Sequence, residues 1–146
     1  MPRVFSQEDG NLDTTPITTT RTKTYKDIDL SFTARTMGDL FKKTDAAAVK
    51  QAVKNILLTN RLEKPFNATF GGNLNRFLFE LSEYFDEQEI EDEIRETIQL
   101  YEPRARVTRI SANVNPDLND IKVTVVFQIL NTLQRETLEL SLARLR

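Results

Sequence analysis

The stretch Tyr101-Glu102-Pro103-Arg104 divides the chain into two parts with different patterns. Before it, apolar residues recur at helical spacing, and after it they alternate with polar residues as in β-strands. Pro103 has no amide hydrogen and restricts the preceding residue to extended conformations, so a helix is predicted to end here. Glu102 and Arg104 place opposite charges on either side of the proline. The pair has two interpretations, a solvated junction between elements or a charged corner with a function.

Composition excludes several classes of function. The chain has 146 residues, which indicates one domain, and a net charge of -2 that argues against a nucleic-acid-binding module. It has no cysteine and no histidine, which excludes disulfides, thiol catalysis, Ser-His triads and zinc sites built on those residues. No cofactor or metal is predicted. No segment has the pattern of a signal peptide or a membrane span, so we expect a protein that stays in the cytosol or in an assembly formed there.

The first part of the chain is predicted to hold an arm and three helices. Residues 1–24 are polar, rich in threonine and without an apolar period, which predicts an extended arm before a single domain at 25–146. Tyr25 to Phe32 alternates and predicts a short strand. Helices are predicted after Thr44 or Asp45, after Asn73 and after Asp86. Their apolar faces are Val49, Val53, Ile56 and Leu57; Leu74, Phe77, Leu78 and Leu81; and Ile90, Ile94, Ile98 and Tyr101.

The third predicted helix is strongly acidic. Asp86 with Glu89 has the spacing of a capping box. From Asp86 to Glu96 there are seven acidic residues and one arginine. Negative charge early in a helix is favoured by the macrodipole, which is a sufficient structural explanation. The alternative explanation is a basic partner.

Residues 61–72 are predicted to form a loop because they contain Pro65 and a pair of glycines that begins at Gly71. Phe66 and Phe70 are too apolar to lie in water. We therefore predict that Pro65, Phe66, Phe70 and Gly71 anchor this loop to the core. The glycines lack the spacing of a phosphate-binding loop.

After the corner, three strands are predicted as an antiparallel meander, at residues 106–114, at 121–130 and close to the terminus. Leu138, Leu140 and Leu142 alternate in the last strand and are predicted to face the core. The predicted fold class is α+β, with three helices packed on a small antiparallel sheet that ends in this C-terminal strand meander.

The last strand is predicted to lie at an edge of the sheet. The outward backbone groups of an edge strand, here around Ser141, are a template for another chain's strand. The alternative is an edge protected by Arg144 and Arg146.

Three motifs occur in a fixed order. They are Lys64-Pro65-Phe66 with Phe70-Gly71, then Leu74 with Leu78-Phe79-Glu80, then Tyr101-Glu102-Pro103-Arg104. This set resembles the lysozyme-like baseplate wedge proteins of contractile phage tails, a family that also includes TssE of type VI secretion systems. The resemblance covers most of the chain except the arm.

The resemblance implies a structural subunit of a virion tail baseplate with six copies per baseplate and no nucleic acid or membrane as partner. It implies that Glu102, Pro103 and Arg104 dock on other baseplate wedge subunits. It also implies that the tail sheath protein joins by strand addition within residues 121–145, with the tail tube as a further partner. The residues expected at the sheath-docking edge are Leu138, Leu140, Ser141 and Leu142.

The alternative function is a lysozyme-like glycoside hydrolase that uses paired carboxylates. Such an enzyme needs two carboxylates about 5–10 Å apart across a cleft, one of them with a raised pKa. The acidic residues near the motifs are Glu80, Glu83, Asp86 and Glu102. None lies in an evidently apolar setting, so we assign no catalytic residue and favour the structural role. A nucleic-acid binder is the weakest hypothesis because the chain is acidic.

Overall fold

A computed structural model describes residues 24–33, 38–79, 86–115 and 119–143. Residues 1–23 of the predicted arm, Glu80, Glu83 and the terminal arginines lie outside these ranges. The elements are β1 (Lys26–Ile28), β2 (Lys42–Thr44), α1 (Asp45–Leu58), a 3₁₀ helix (Leu74–Leu78), α2 (Glu87–Tyr101), β3 (Ala105–Asn115), β4 (Asp120–Ile129) and β5 (Arg135–Ala143).

The α+β class is confirmed, but the number of helices is corrected. In the part of the chain that the structure describes, two α-helices are present, and the predicted second helix is a 3₁₀ helix. Its bonds span three residues, from the Arg76 N–H to the Asn73 carbonyl and from the Phe79 N–H to the Arg76 carbonyl. Such helices rarely exceed one turn. Leu81, predicted on its apolar face, lies outside the described residues.

The predicted buried faces of α1 and α2 are confirmed, and Thr44 and Asp86 occupy the predicted N-cap positions, but neither side chain makes a capping hydrogen bond. Asp86 is the N-cap of α2, yet its side chain makes no capping bond. The Glu89 carboxylate is instead within 3.3 Å of Arg76, so it is not available for a capping box. At the start of α1 the Asp45 carboxylate accepts a hydrogen bond from the Tyr25 N–H at 3.1 Å, so it ties β1 to the helix.

The predicted meander is confirmed as an antiparallel sheet of order β3-β4-β5. Its register places Ala112 opposite Val123, and Val123 opposite Leu140. β1 and β2 form a separate two-stranded sheet. The predicted strand at 25–32 ends at Ile28 because Asp29 accepts hydrogen bonds from the N–H groups that follow it and forms a turn.

Both α-helices lie on one face of the three-stranded sheet, with α2 against β3 and α1 against β5. The side chains between them are closed to solvent and form one apolar core. Burying each such side chain contributes about 1.5–3 kcal/mol, so this layer dominates the stability of the fold. The fully buried residues include Val49, Val53, Leu57, Ile90, Ile94, Ile98, Val125 and Phe127.

In the described ranges, no helix is both long and apolar enough to span a membrane.

Candidate interaction site

The corner after α2 is built on an ion pair inside the chain. Glu102 is 3% exposed although it is charged. Arg104 donates from Nε to one oxygen of the Glu102 carboxylate at 2.5 Å and from Nη2 to the other at 2.6 Å. This two-point geometry is the strongest form of an arginine–carboxylate pair. The interpretation of Glu102 as a solvated end is therefore wrong.

The backbone of the corner joins three elements. The Glu102 N–H donates to the Ile98 carbonyl at 2.9 Å, which completes the last turn of α2. The Ala105 N–H donates to the Glu102 carbonyl at 3.1 Å and starts β3. The Leu130 N–H donates to the Arg104 carbonyl at 3.0 Å, which ties the end of β4 to the same point. The corner thus fixes α2 against the first two strands of the sheet.

The three corner residues, Glu102, Pro103 and Arg104, differ in charge and in exposure to solvent, and these differences suggest different roles. The hydrogen bond that the Arg104 guanidinium donates to Glu102 raises the pKa of Arg104, against the opposing effect of its partial burial. The guanidinium also lies 5.2 Å from the centre of the Tyr25 ring, a cation–π contact. Pro103 is exposed and Arg104 is half-buried. A partner can therefore reach Pro103 and part of Arg104, while Glu102 acts as their internal support.

The loop before the 3₁₀ helix is held by Phe70, and the predicted anchoring role of Phe66 is wrong. Phe66 is fully exposed, with a positive φ of 64° that turns it away from the core. The Phe70 ring lies 4.9 Å from the Tyr101 ring at the end of α2. The Tyr101 hydroxyl donates to the Thr69 carbonyl at 2.7 Å. Pro65 is also exposed and makes no anchor.

Gly71 closes this loop, as predicted, for a reason that is steric. Its φ is 115°, a conformation that residues with a Cβ rarely adopt. A Cβ added at Gly71 would also lie 2.3 Å from the Thr59 carbonyl oxygen. The return of the loop onto the end of α1 therefore requires glycine.

The loop and α2 enclose a groove of 520 Å³ that the sequence reasoning missed. Leu62 from the loop and Leu100 from α2 stand exposed beside it. Leu62 has a φ of 73°, which is unusual for a large apolar residue. Because its exposure depends on this backbone conformation, residue spacing alone carried no signal for the groove.

Among the described residues, none pairs with the outer edge of β5. Leu138 and Leu140 are buried and Leu142 is half-buried, which confirms the predicted core face. The Ile129 N–H donates to the Gln134 carbonyl at 2.9 Å, and the β4–β5 register continues without a break. Hydrogen-bonded and non-bonded pairs alternate along such a ladder, so the Ser141 N–H points away from β4.

The same alternation turns the N–H groups of Thr137 and Glu139 outward, beside that of Ser141. Within the described ranges, no residue accepts a hydrogen bond from these three groups. This row of donors is the feature that another strand can use.

The opposite edge of the sheet, formed by β3, is covered at two of its N–H groups by carboxylates of α2. Glu91 on α2 accepts a hydrogen bond from the Ala112 N–H at 3.2 Å. Glu87, one turn earlier, accepts one from the Val114 N–H at 3.3 Å. Four residues of helix rise about 6 Å and two residues of strand about 6.8 Å, so the two spacings match. The acidic face predicted from sequence thus has a second structural use, as cover for a sheet edge.

The carboxylates considered for a glycosidase do not form a described pair. Asp86 is exposed at the start of α2, and Glu102 is buried against Arg104. Glu80 and Glu83 lie outside the described residues. Among the residues that the structure describes, no group of three or more carboxylates is placed to hold a metal ion.

Comparison with known proteins identifies the family. The family model described as baseplate wedge protein gp25 matches residues 43–137, which include the corner, the loop and most of the C-terminal sheet. The chain belongs to the baseplate wedge protein gp25 family. Baseplate wedge protein gp25 of Enterobacteria phage T4 is 27% identical over 103 residues, 70% of this chain and 76% of that protein. The predicted resemblance is confirmed, and membership makes the chain a structural protein of a phage tail baseplate.

Solved structures share the fold of this gp25-family chain. A baseplate chain of the anti-feeding prophage, from a six-fold symmetrised structure, matches with a TM-score of 0.56 and 16% identity. The match covers 82% of this chain and 86% of that one. A suspected tail lysozyme from Geobacter sulfurreducens matches with a TM-score of 0.58 and 20% identity over 67% of this chain and 89% of that chain. At these identities the matches establish the fold alone.

Proposed function

We propose that this gp25-family protein initiates the tail sheath by accepting a strand of the sheath protein along β5. The observation that carries the proposal is the difference between the two edges of the sheet. The β3 edge gives two N–H groups to Glu87 and Glu91, whereas β5 points three outward. An open edge is a liability for aggregation unless it has a use, so its retention supports a strand-addition site.

The corner is proposed as the contact with other wedge subunits. Glu102 holds Arg104 in one orientation, and Pro103 presents a rigid exposed surface beside it. Tyr101, the residue before the corner, lines a separate groove with apolar residues such as Leu62 and Leu100. Preorganised arginines and apolar side chains are both enriched at the centre of protein interfaces. By analogy with the six-fold baseplate of the anti-feeding prophage, we propose six copies per baseplate, with the tail tube as a further neighbour.

We propose a structural role without glycosidase activity. An acid catalyst in a glycosidase must be able to hold a proton at neutral pH. Both oxygens of the Glu102 carboxylate are instead engaged by Arg104, and the side chain is buried rather than open to a substrate. At 20% identity, the match to a suspected tail lysozyme shows the fold and assigns no catalytic residue to this chain.

The test of strand addition is the variant Ser141→Pro. Proline removes the outward N–H and blocks close approach, while Leu140 and Leu142 keep the core face. We expect baseplates that assemble with tubes but without sheath, viewed by electron microscopy. Ser141→Ala is the matched control, because it keeps the N–H and loses only the hydroxyl bond to Asp120 at 3.0 Å. Ordinary sheathed tails with a folded Ser141→Pro protein would contradict the proposal.

A further inference from the structure

A basic groove lies beside the open β5 edge. Leu138 of β5 forms one wall, and Leu30 from the segment after β1 forms the other. Its volume is 530 Å³. An added strand runs about 4.8 Å from its neighbour, so a strand on the outer edge of β5 would lie over this groove. The floor between the walls is one face of α1, formed by Ala47, Lys50, Gln51, Lys54 and Asn55.

The far wall of the groove is fixed in place by Gln51. Its side-chain Nε2 donates to the Ile28 carbonyl at 2.8 Å, and its Oε1 accepts from the Leu30 N–H at 3.4 Å. Lys43 donates to the same Oε1 at 2.7 Å. Gln51 is buried on α1, so these bonds attach the 28–30 segment to the helix. The groove is therefore preformed rather than created by a partner.

The charge left unbalanced in the groove belongs to Lys50 and Lys54. Lys43 is paired with Asp29 at 3.1 Å, and hydrogen bonds from the Ser31 N–H and from Lys43 lower the pKa of Asp29. Within the described part of the chain, the ion-pair contact of Lys50 is a long one, 3.9 Å to Glu136. Lys54 is exposed, and no described residue forms an ion pair with it. Three lysines and one aspartate line the groove, a net charge of +2 before Glu136 is counted.

We propose that the strand accepted by β5 carries acidic side chains, at alternate positions, that pair with Lys50 and Lys54. This inference rests on the proposed strand addition and specifies the chemistry of the partner. A strand over the groove removes water from both ammonium groups, and a buried charge without a partner is costly. Lys50 and Lys54 lie about 6 Å apart along the helix, and alternate side chains of a strand about 6.8 Å apart. Two carboxylates two residues apart therefore match two lysines four residues apart.

The test is a double charge reversal, Lys50→Glu with Lys54→Glu, in baseplates assembled with the sheath protein of the same phage. Facing like charges across an interface weakens it strongly, so we expect sheathed tails to fall by roughly tenfold or more. The matched control is Lys26→Glu with Lys42→Glu, two exposed lysines of β1 and β2 outside the groove, which should leave sheath assembly unchanged. Thermal unfolding shows whether the double reversal is folded. If it is not, Lys50→Gln with Lys54→Gln replaces it, and we expect a smaller loss of sheathed tails.

Selection for restored infectivity identifies the partner. Second-site changes should replace Asp or Glu by Lys or Arg in the segment of the sheath protein that joins β5. Normal sheathing by the reversed protein, while Ser141→Pro still abolishes it, would overturn the acidic partner and leave strand addition intact. Sheathing by both variants would overturn both proposals. Suppressors confined to residues 1–23 of this chain, or a dimer of the free protein that the reversal dissociates, would place another occupant in the groove and also contradict the proposal.

Discussion

Both edges of the C-terminal sheet have outward backbone N–H groups, but the two edges differ in whether those groups meet an acceptor. Along β3, carboxylates from α2 accept the outward N–H groups of Ala112 and Val114. Along β5, the outward N–H groups, including that of Ser141, meet no acceptor in the described part of the chain. A helix that crosses one edge thus leaves the sheet able to grow in a single direction. This difference would give the proposed strand addition a single direction, which an assembly with a defined order requires.

The corner and the occupied edge depend on each other. Tyr101 ends α2, and β3 begins at Ala105 and returns along the same helix. Glu102 and Arg104 set the angle between helix and strand, because their ion pair and their backbone bonds join α2, β3 and the end of β4. The alignment of the helix carboxylates with the strand therefore follows from the geometry of the corner.

Among the variants at the corner and the β3 edge, Arg104→Ala is expected to lower the stability of the protein most. It leaves the Glu102 carboxylate buried without its partner, which costs about 3 kcal/mol, the lower end for a buried pair because the Arg104 side chain is 32% exposed. We expect a lower midpoint in urea unfolding and faster amide exchange at Ala112 and Val114. A midpoint equal to that of the unmodified protein would contradict the supporting role of the pair.

The double variant Glu102→Met with Arg104→Met separates support from docking. Replacing both members of a buried ion pair by apolar residues is often neutral, so most of the stability should return. If Arg104 also contacts a wedge subunit, the double variant should be stable and yet fail to enter baseplates. Co-purification of wedge components measures its incorporation. Normal incorporation would show that the corner supports the fold and takes no part in docking.

A smaller effect is expected when the β3 edge is uncovered. Glu87→Ala with Glu91→Ala removes the two carboxylates that accept hydrogen bonds from the Val114 and Ala112 N–H groups, a loss of about 1–2 kcal/mol in total. Ala112 and Val114 should then exchange their amide hydrogens as fast as Ser141, and the free protein should self-associate in sedimentation experiments. Glu96→Ala, an exposed residue of the same helix, is the control and should change neither property. Unchanged exchange in the double variant would mean that the carboxylates do not protect this edge.

The features set by local pattern were predictable from sequence. Helical spacing located the buried faces of α1 and α2, the period of two located the meander, and Pro103 placed the end of α2. Ordered motifs then indicated the family before any geometry was known. These signals succeed because each depends on neighbours within one element.

The predictions that were wrong concern contacts between residues that are distant in the sequence. Phe66 was predicted to anchor the loop from its apolarity, but a positive φ turns it outward and Phe70 packs on Tyr101 instead. Glu89 had capping-box spacing, yet Arg76, thirteen positions earlier, pairs with its carboxylate. The cover of the β3 edge by Glu87 and Glu91 was likewise not predictable, because the spacing of residues within a helix does not indicate which strand the helix will cross.

The most direct test of the account is a density map of the assembled baseplate with its first sheath ring. We expect a fourth strand about 4.8 Å beyond β5, hydrogen-bonded to the outward groups around Ser141, with the β3 edge still held by Glu87 and Glu91. A sheath strand paired with β3, or sheath subunits attached while β5 stays bare, would contradict it.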